Sequence, residues 1–223
     1  MADELVTHLP AIIKGGTLAA ALMVAIIGHE IMHGYIAWRY GDATAKYAGR
    51  LSLNPLVHVD IVGTILVPLL LWISDAPFLF GWAKPVPVDL RIVIARGGYM
   101  AAVHVALAGI AYNLLIAIIC AMLLSFSSTP ESIVSLILQA FLLYMVIYNT
   151  ILAFFNLWPI PPLDGSQALR WLAAHFGAWE IARFFDRMER YGMIILILIL
   201  ATPLGHYLIA PAWWIIEMLL GRS

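Results

Sequence analysis

The feature that most constrains this chain is a pair of long apolar runs that carry no charge. Residues 97–130 and 132–163 contain no Asp, Glu, Lys or Arg, and Glu131 alone separates them. Each run exceeds the roughly 20 apolar residues that a helix needs to cross a bilayer. Because lipid offers no partner for backbone N–H and C=O groups, both runs must be helices, and the short loop at 125–132 makes them a hairpin.

The composition agrees with a membrane protein and excludes several other classes. Hydrophobic residues make up 63% of the 223 residues and charged residues 11%, whereas soluble domains carry about 25% charged residues. The net charge of −1 gives no electrostatic reason to expect nucleic acid as a partner. Cys120 is the single cysteine, which rules out an internal disulfide framework and a Cys-rich metal site.

Three further segments complete the expected architecture. The segment 11–38 is apolar and follows an acidic start, so we expect a retained first helix and no removable signal peptide. Residues 191–216 form a third charge-free run. Residues 61–80 hold only about 13 consecutive apolar residues, with Pro68 among them, which favours a re-entrant segment over a full span. We therefore predict an all-α polytopic membrane protein with four to six transmembrane helices and a re-entrant or β-like loop after the first helix.

Positive charge predicts the orientation of the loops. Lys and Arg residues favour the cytoplasmic side, and the turn at 126–131 has none. We expect this turn outside the cell and the basic loops 39–60, 81–98 and 164–190 in the cytoplasm. The basic residues of these three loops are Arg39, Lys46, Arg50, Lys84, Arg91, Arg96, Arg170, Arg183, Arg187 and Arg190. One membrane-embedded domain is predicted over residues 1–223, with its core at about 11–175 and a C-terminal membrane segment at about 191–220.

Ionisable residues inside the first helix indicate a functional site. His29, Glu30 and His33 form an H-E-x-x-H motif, and positions four apart lie on one face of a helix. Two imidazoles placed in this way can bind one Zn²⁺, with the glutamate as general base. A chance match, with histidines satisfied by neighbouring helices, is the alternative. Within an apolar helix three adjacent ionisable residues need compensation, which a metal supplies.

A catalytic zinc ion normally has three protein ligands and an open position. Asp164 is the candidate for the third ligand, because it follows the second charge-free run in the segment 156–165, where Pro159, Pro161 and Pro162 interrupt the helix. An ordinary turn or helix cap at this position is the alternative. Two crossings after His33 return Asp164 to the side of the histidines, provided that residues 61–80 do not cross.

With these motifs in place, the chain resembles the site-2 protease family of intramembrane zinc metalloproteases, in its short prokaryotic form without a PDZ or CBS domain. The resemblance covers most of residues 20–170. The chain has isoleucine, at Ile61 and Ile110, where the family often has proline. The matching segments are His29–His33, Gly41–Lys46, Gly49–Asp60, Gly81–Pro87, Ala108–Asn113 and Asn156–Gly165.

The resemblance implies a fold, a reaction and a set of site residues. It implies one Zn²⁺ per chain held by His29, His33 and Asp164, with Glu30 activating water and Asn156 stabilising the substrate carbonyl or its oxyanion. The substrate would be a transmembrane protein cut within or beside its membrane segment. The location implied is the cell (inner) membrane of a prokaryote, with the active site toward the cytoplasm. It identifies no particular substrate and no oligomeric state. A membrane metal carrier or sensor with the same histidines is the alternative function.

The remaining polar residues of the motifs have less specific interpretations. His58 either lines the site or belongs to a structural polar network, and His104 and His206 are expected to be core or interface residues. Gly109 and Asn113 predict close helix packing and an interhelical hydrogen bond. Residues 49–53 could be extended and present an edge to a substrate strand.

Overall fold

A computed structural model describes residues 9–74 and 81–221 of the chain. Within these ranges the structure is helical and contains no β-strand, so the predicted all-α class is confirmed. The α-helices are α1 (Ala11–Arg39), α2 (Thr44–Tyr47), α3 (Val67–Ile73), α4 (Leu90–Ser125), α5 (Ile133–Leu157), α6 (Asp164–His175), α7 (Trp179–Leu200) and α8 (Leu204–Leu219).

Three of these helices, α1, α4 and α5, are long and apolar enough to cross a membrane. Helix α4 ends at Ser125 and α5 begins after Ser132, whose side chain caps it by accepting from the N–H of Ser135. The predicted hairpin is therefore present with its loop where the sequence puts it. With α7 and α8 counted as one bent span, the described residues contain four spans, the lower end of the predicted number.

The charge-free run 191–216 does not form one straight helix. It divides into the end of α7 and most of α8, and the two helices meet at an angle of 81°. Pro203 lies in the break between them. A proline inside a helix removes a backbone donor and clashes with the preceding turn, which accounts for the interruption.

The membrane helices α1 and α4 run antiparallel. Ala37, near the end of α1, packs with Val93, Ala101 and Val105 of α4, while Ala25, nearer the start of α1, accepts a hydrogen bond from Asn113 further along α4. The end of α1 and the beginning of α4 therefore lie together. It follows that the chain between them leaves and returns on the same side, as the parity argument for Asp164 requires.

In its described part this connecting segment combines short helices with irregular stretches and contains no β-strand. It contains α2, a 3₁₀-helix at Pro55–His58, a π-helix at Ile61–Leu66 and α3. The side chains of Asn54 and Asp60 accept from the N–H groups of Leu56 and Gly63 and so start the two irregular helices. No β-strand is present in the described part of this loop, and the capping side chains favour helical turns from residues 55 and 61 onward.

The chain that departs after residue 60 returns to its starting point, where two hydrogen bonds join its two ends. The N–H of Trp82 donates to the carbonyl of Gly63 at 3.0 Å, and the hydroxyl of Thr64 donates to the carbonyl of Trp82 at 2.9 Å. The chain thus returns beside the point from which it departed. The far end of the predicted re-entrant segment, 75–80, and the acidic start at 1–8 lie outside the described residues.

Candidate active site

The three predicted metal ligands meet at one point. The Nε2 atoms of His29 and His33 lie 3.0 Å apart, and Oδ2 of Asp164 lies 3.0 Å from the first and 3.3 Å from the second. The histidines come from successive turns of α1, and the carboxylate comes from the first residue of α6, more than a hundred positions later. The structure therefore brings together residues that the sequence could join only by counting membrane crossings.

This arrangement fits a zinc ion. Ligand atoms about 2.0–2.1 Å from a tetrahedral metal lie roughly 3.3 Å from one another, close to the separations observed. Oδ2 of Asp164 is buried and receives no aligned hydrogen bond within the described residues. Two imidazole nitrogens and a carboxylate oxygen directed at one another are stabilised by a positive charge at their centre, which a divalent cation provides.

The outer nitrogen of each imidazole has an acceptor. Nδ1 of His33 lies 2.7 Å from the main-chain carbonyl of Val105, and Nδ1 of His29 lies 2.6 Å from the side-chain oxygen of Asn113. Both acceptors require a proton on Nδ1, which leaves the lone pair of each Nε2 facing Asp164. A hydrogen bond of this kind fixes the orientation and tautomer of a metal-binding histidine.

Asn113 and Gly109 position His29 from the opposite helix. The predicted close packing at Gly109 is present, because a Cβ atom there would lie 2.4 Å from the imidazole of His29. The interhelical hydrogen bond predicted for Asn113 is also present, but it reaches the histidine as well as Asn149 of α5. Sequence reasoning missed Asn149, although an amide within a charge-free run was a signal available to it.

The turn that carries Asp164 is held against two neighbours. Gly165 lies so close to the end of α5 that a Cβ atom would meet the carbonyl oxygen of Leu157 at 2.1 Å. On the other side α7 crosses the turn at Gly192, where a Cβ atom would lie 2.4 Å from the carbonyl oxygen of Pro161. The C-terminal helices, for which the sequence offered no motif, therefore brace the turn that positions Asp164.

The electrostatics of Asp164 favour the ionised form. Burial raises the pKa of its carboxyl, but His33 and His29, when protonated in the absence of a bound cation, lower it by more, so the pKa lies below its ordinary value. The carboxylate is thus available as a negatively charged ligand.

Glu30 lines the same cavity as the three ligands, but its hydrogen-bond partner lies on a different segment of the chain. Its Oε2 accepts a hydrogen bond of 2.9 Å from the N–H of Val86. Both residues line a cavity of about 640 Å³ that also contains His29, His33 and Asp164. The remainder of the lining is largely apolar and comes mainly from the irregular segment 81–88 and from α4, α5, α6 and α7.

Asn156 lines this cavity from the last turn of α5. Its amide nitrogen donates to the carbonyl of Leu152 at 2.9 Å, which uses one of its two N–H groups. No partner for the second N–H is present in the described part of the chain. The side chain is therefore anchored and still has a donor for a ligand in the cavity.

Comparisons with known proteins identify the family to which the chain belongs. The family model of Peptidase family M50 matches residues 127–200, which include Asn156 and Asp164. A protein of Bacillus subtilis named "Putative zinc metalloprotease YwhC" is 35% identical over 198 residues, 87% of this chain and 84% of the relative. The chain belongs to this family, that of the site-2 proteases.

Members of the family from other bacteria agree with this assignment. The protein of Mycolicibacterium smegmatis named "Putative zinc metalloprotease Rip2" is 29% identical over 199 residues, 89% of this chain and 72% of the relative. No solved structure matches the chain. As a site-2 protease relative with apolar spanning helices, the protein is an integral membrane zinc metalloprotease, and it takes zinc as its cofactor.

Three further histidines for which the sequence gave no specific role, His58, His104 and His206, lie outside the ligand cluster. His58 is buried, and its Nε2 lies 2.8 Å from the carbonyl oxygen of Ser52, which fits the structural interpretation. His104, for which the sequence suggested no partner, lies 2.6 Å from the hydroxyl of Tyr40. His206 is exposed on α8.

Proposed function

We propose that this metalloprotease hydrolyses a peptide bond within or next to a transmembrane segment of a membrane protein. The observation that supports the proposal is the position of the site along α1, measured from the charged residue that ends this helix. His33 and His29 lie six and ten residues before Arg39 in α1, or about 9 and 15 Å along the helix. The hydrocarbon core is about 30 Å thick, so a substrate bond that reaches these residues lies within the membrane or at its boundary.

In the proposed mechanism His29, His33 and Asp164 would hold the zinc ion. When bound, zinc supplies a Lewis acid that polarises a carbonyl and lowers the pKa of water. Glu30 takes the proton of the attacking water and delivers it to the leaving amine. Asn156 donates its free N–H to the oxygen on which negative charge develops.

The same geometry restricts the substrate. A transmembrane helix hides its carbonyls in its own hydrogen bonds, so the segment must unwind locally before one can enter the cavity. Substrates with helix-destabilising residues in the span, such as glycine or proline, are therefore favoured.

The basic loops support an orientation. Arg39 is the last residue of α1, at the end nearer the site, and Lys84 and Arg91 flank the return of the chain. With positive charge on the cytoplasmic side, the active site opens toward the cytoplasm of a prokaryotic cell membrane, and residues 1–223 form one membrane-embedded domain.

The test uses the purified protein in detergent with a model single-span substrate. We expect cleavage within or beside the span, mapped by mass spectrometry, which stops with a zinc chelator and resumes when zinc is restored. The Glu30→Gln variant is the inactive control. A soluble peptide from the loop of the same substrate is the second control. Efficient cleavage of this peptide with no cleavage near the span would contradict the intramembrane proposal, and zinc binding without any hydrolysis would favour a carrier or sensor.

A further inference from the structure

Two buried asparagines connect His29 to the main chain of a different helix. Asn113 of α4 and Asn149 of α5 have no exposed surface. The amide nitrogen of Asn113 donates to the side-chain oxygen of Asn149 at 2.8 Å and to the carbonyl of Ala25 at 3.2 Å. The amide nitrogen of Asn149 donates to the carbonyl of Met145 at 2.8 Å.

The direction of this chain of hydrogen bonds is fixed at its ends. A main-chain carbonyl can only accept, so Met145 turns the nitrogen of Asn149 toward itself and the oxygen of Asn149 toward Asn113. Asn113 must then present its nitrogen to Asn149 and its oxygen to His29. The result is a proton on Nδ1 of His29 and a lone pair on Nε2, where Asp164 lies.

The two histidines differ in how this state is secured. His33 bonds directly to the carbonyl of Val105, which cannot reverse its polarity. His29 bonds to a side-chain amide, which presents a donor instead of an acceptor when it turns by half a revolution. The contact from Ala25 opposes that turn, but it is longer than the contact from Asn149.

We propose that Asn149 is a positioning residue for zinc binding: its side-chain oxygen fixes the amide of Asn113 and thereby the tautomer of His29. The inference rests on the proposed role of His29 as a zinc ligand. Partners of metal-binding histidines typically change metal affinity by about 10–100-fold when removed. Asn149 acts one residue further away, and we expect the lower end of that range.

A purely structural role, in which Asn113 and Asn149 only join α4 to α5, makes a different prediction. In that case loss of Asn149 should weaken the helix contact whatever residue stands at position 113. The positioning role requires an amide at 113 that can turn. An aspartate there presents an oxygen to His29 in either orientation, so the effect of Asn149 should vanish in an Asn113→Asp background.

The experiment measures zinc affinity of the full chain in detergent, by competition with a chelating dye. Asn149→Leu removes the oxygen, and Asn149→Val removes it with a smaller side chain. Asn149→Asp keeps an oxygen in the same place. Thr150→Val is the matched control, because Thr150 is equally buried on α5 and its hydroxyl has no partner in the described structure.

We expect Asn149→Leu and Asn149→Val to bind zinc about tenfold more weakly, and Asn149→Asp and Thr150→Val to match the unmodified protein. Asn149→Leu should have no further effect in the Asn113→Asp background. Unchanged affinity in Asn149→Leu, equal loss in Thr150→Val, or loss that persists with Asn113→Asp would overturn the proposal.

A second readout separates this inference from the proposed ligand set. The ¹⁵N spectrum of the zinc-free protein, with the signals of His29 identified by comparison with His29→Gln, reports whether Nδ1 carries the proton. We expect the proton on Nδ1 in the unmodified protein and its loss from Nδ1 in Asn149→Leu. An unchanged spectrum would contradict the proposed role of Asn149. Full zinc binding by His29→Gln would instead contradict the ligand assignment.

Discussion

The two sides of the active-site cavity are built from different kinds of structure. His29, His33 and Asp164 lie where α4 packs against both α1 and α6, and each histidine has a partner on α4. Glu30 faces the irregular segment 81–88, from which the N–H of Val86 donates a hydrogen bond to its carboxylate. The ligand side is held by several elements at once, whereas the base side is bordered by chain without regular secondary structure.

This difference matches the tasks proposed for the two sides. Metal ligands must be held to within fractions of an ångström, which close helix packing and buried hydrogen bonds achieve. A general base has to meet water and substrate, so its side of the cavity must admit them. The four predictions below test whether the two sides are separable in this way, beginning with the largest expected effect.

The strongest test compares the two carboxylates. Asp164→Asn should lose both zinc and cleavage, because a neutral amide is a poor replacement for a carboxylate on zinc. Glu30→Gln should retain zinc and lose cleavage, because it removes the base and no ligand. Zinc per protein, measured by mass spectrometry on both purified variants, is compared with their cleavage rates. Zinc retained in Asp164→Asn and lost in Glu30→Gln would reverse the assignment.

Asn156 lies on the wall of the same cavity. If its free N–H stabilises the developing oxyanion, Asn156→Leu should lower turnover by about 10²–10³-fold and leave zinc content close to normal. Turnover and zinc content are measured on the same preparation. Stoichiometric loss of zinc from this variant would instead assign Asn156 to the support of the metal site.

The hydrogen bond between Val86 and Glu30 can be tested with a pair of matched substitutions at Val86. Val86→Pro deletes the N–H that Glu30 accepts, whereas Val86→Ala keeps the N–H and reduces only the side chain. A hydrogen bond to a charged group contributes about 1.5–3 kcal/mol, so we expect turnover at least about tenfold lower in Val86→Pro than in Val86→Ala, with zinc content equal. Equal turnover of the two variants would show that the base side needs no such support.

The last prediction concerns topology and is read from labelling, not from activity. In a Cys120→Ser background, single cysteines at Ser52 and Val88 should be shielded from an impermeant thiol reagent added to intact cells. A cysteine at Thr129, in the loop between α4 and α5, should react. Labelling of Ser52→Cys or Val88→Cys alone from outside would mean that the chain between them crosses the membrane, in conflict with the antiparallel contact of α1 and α4.

The sequence by itself determined the spans of the helical hairpin and the chemistry of the site. Charge-free runs specify membrane helices because lipid excludes unpaired backbone groups, and the spacing of His29 and His33 follows from the helical period. Asp164 could be proposed from its place after a membrane run. The membrane helices and the histidine spacing are local features that a local pattern specifies, whereas pairing Asp164 with the histidines also required counting membrane crossings.

Tertiary structure alone decided how the site is supported. The carbonyl of Val105 and the amide of Asn149 carry no motif, and they matter only because α4 and α5 bring them to the histidines and to Asn113. The same holds for Val86 beside Glu30 and for Gly192 against the turn of Asp164. Which buried donor meets which acceptor depends on the register between helices distant in sequence, and periodicity within one helix does not specify that register.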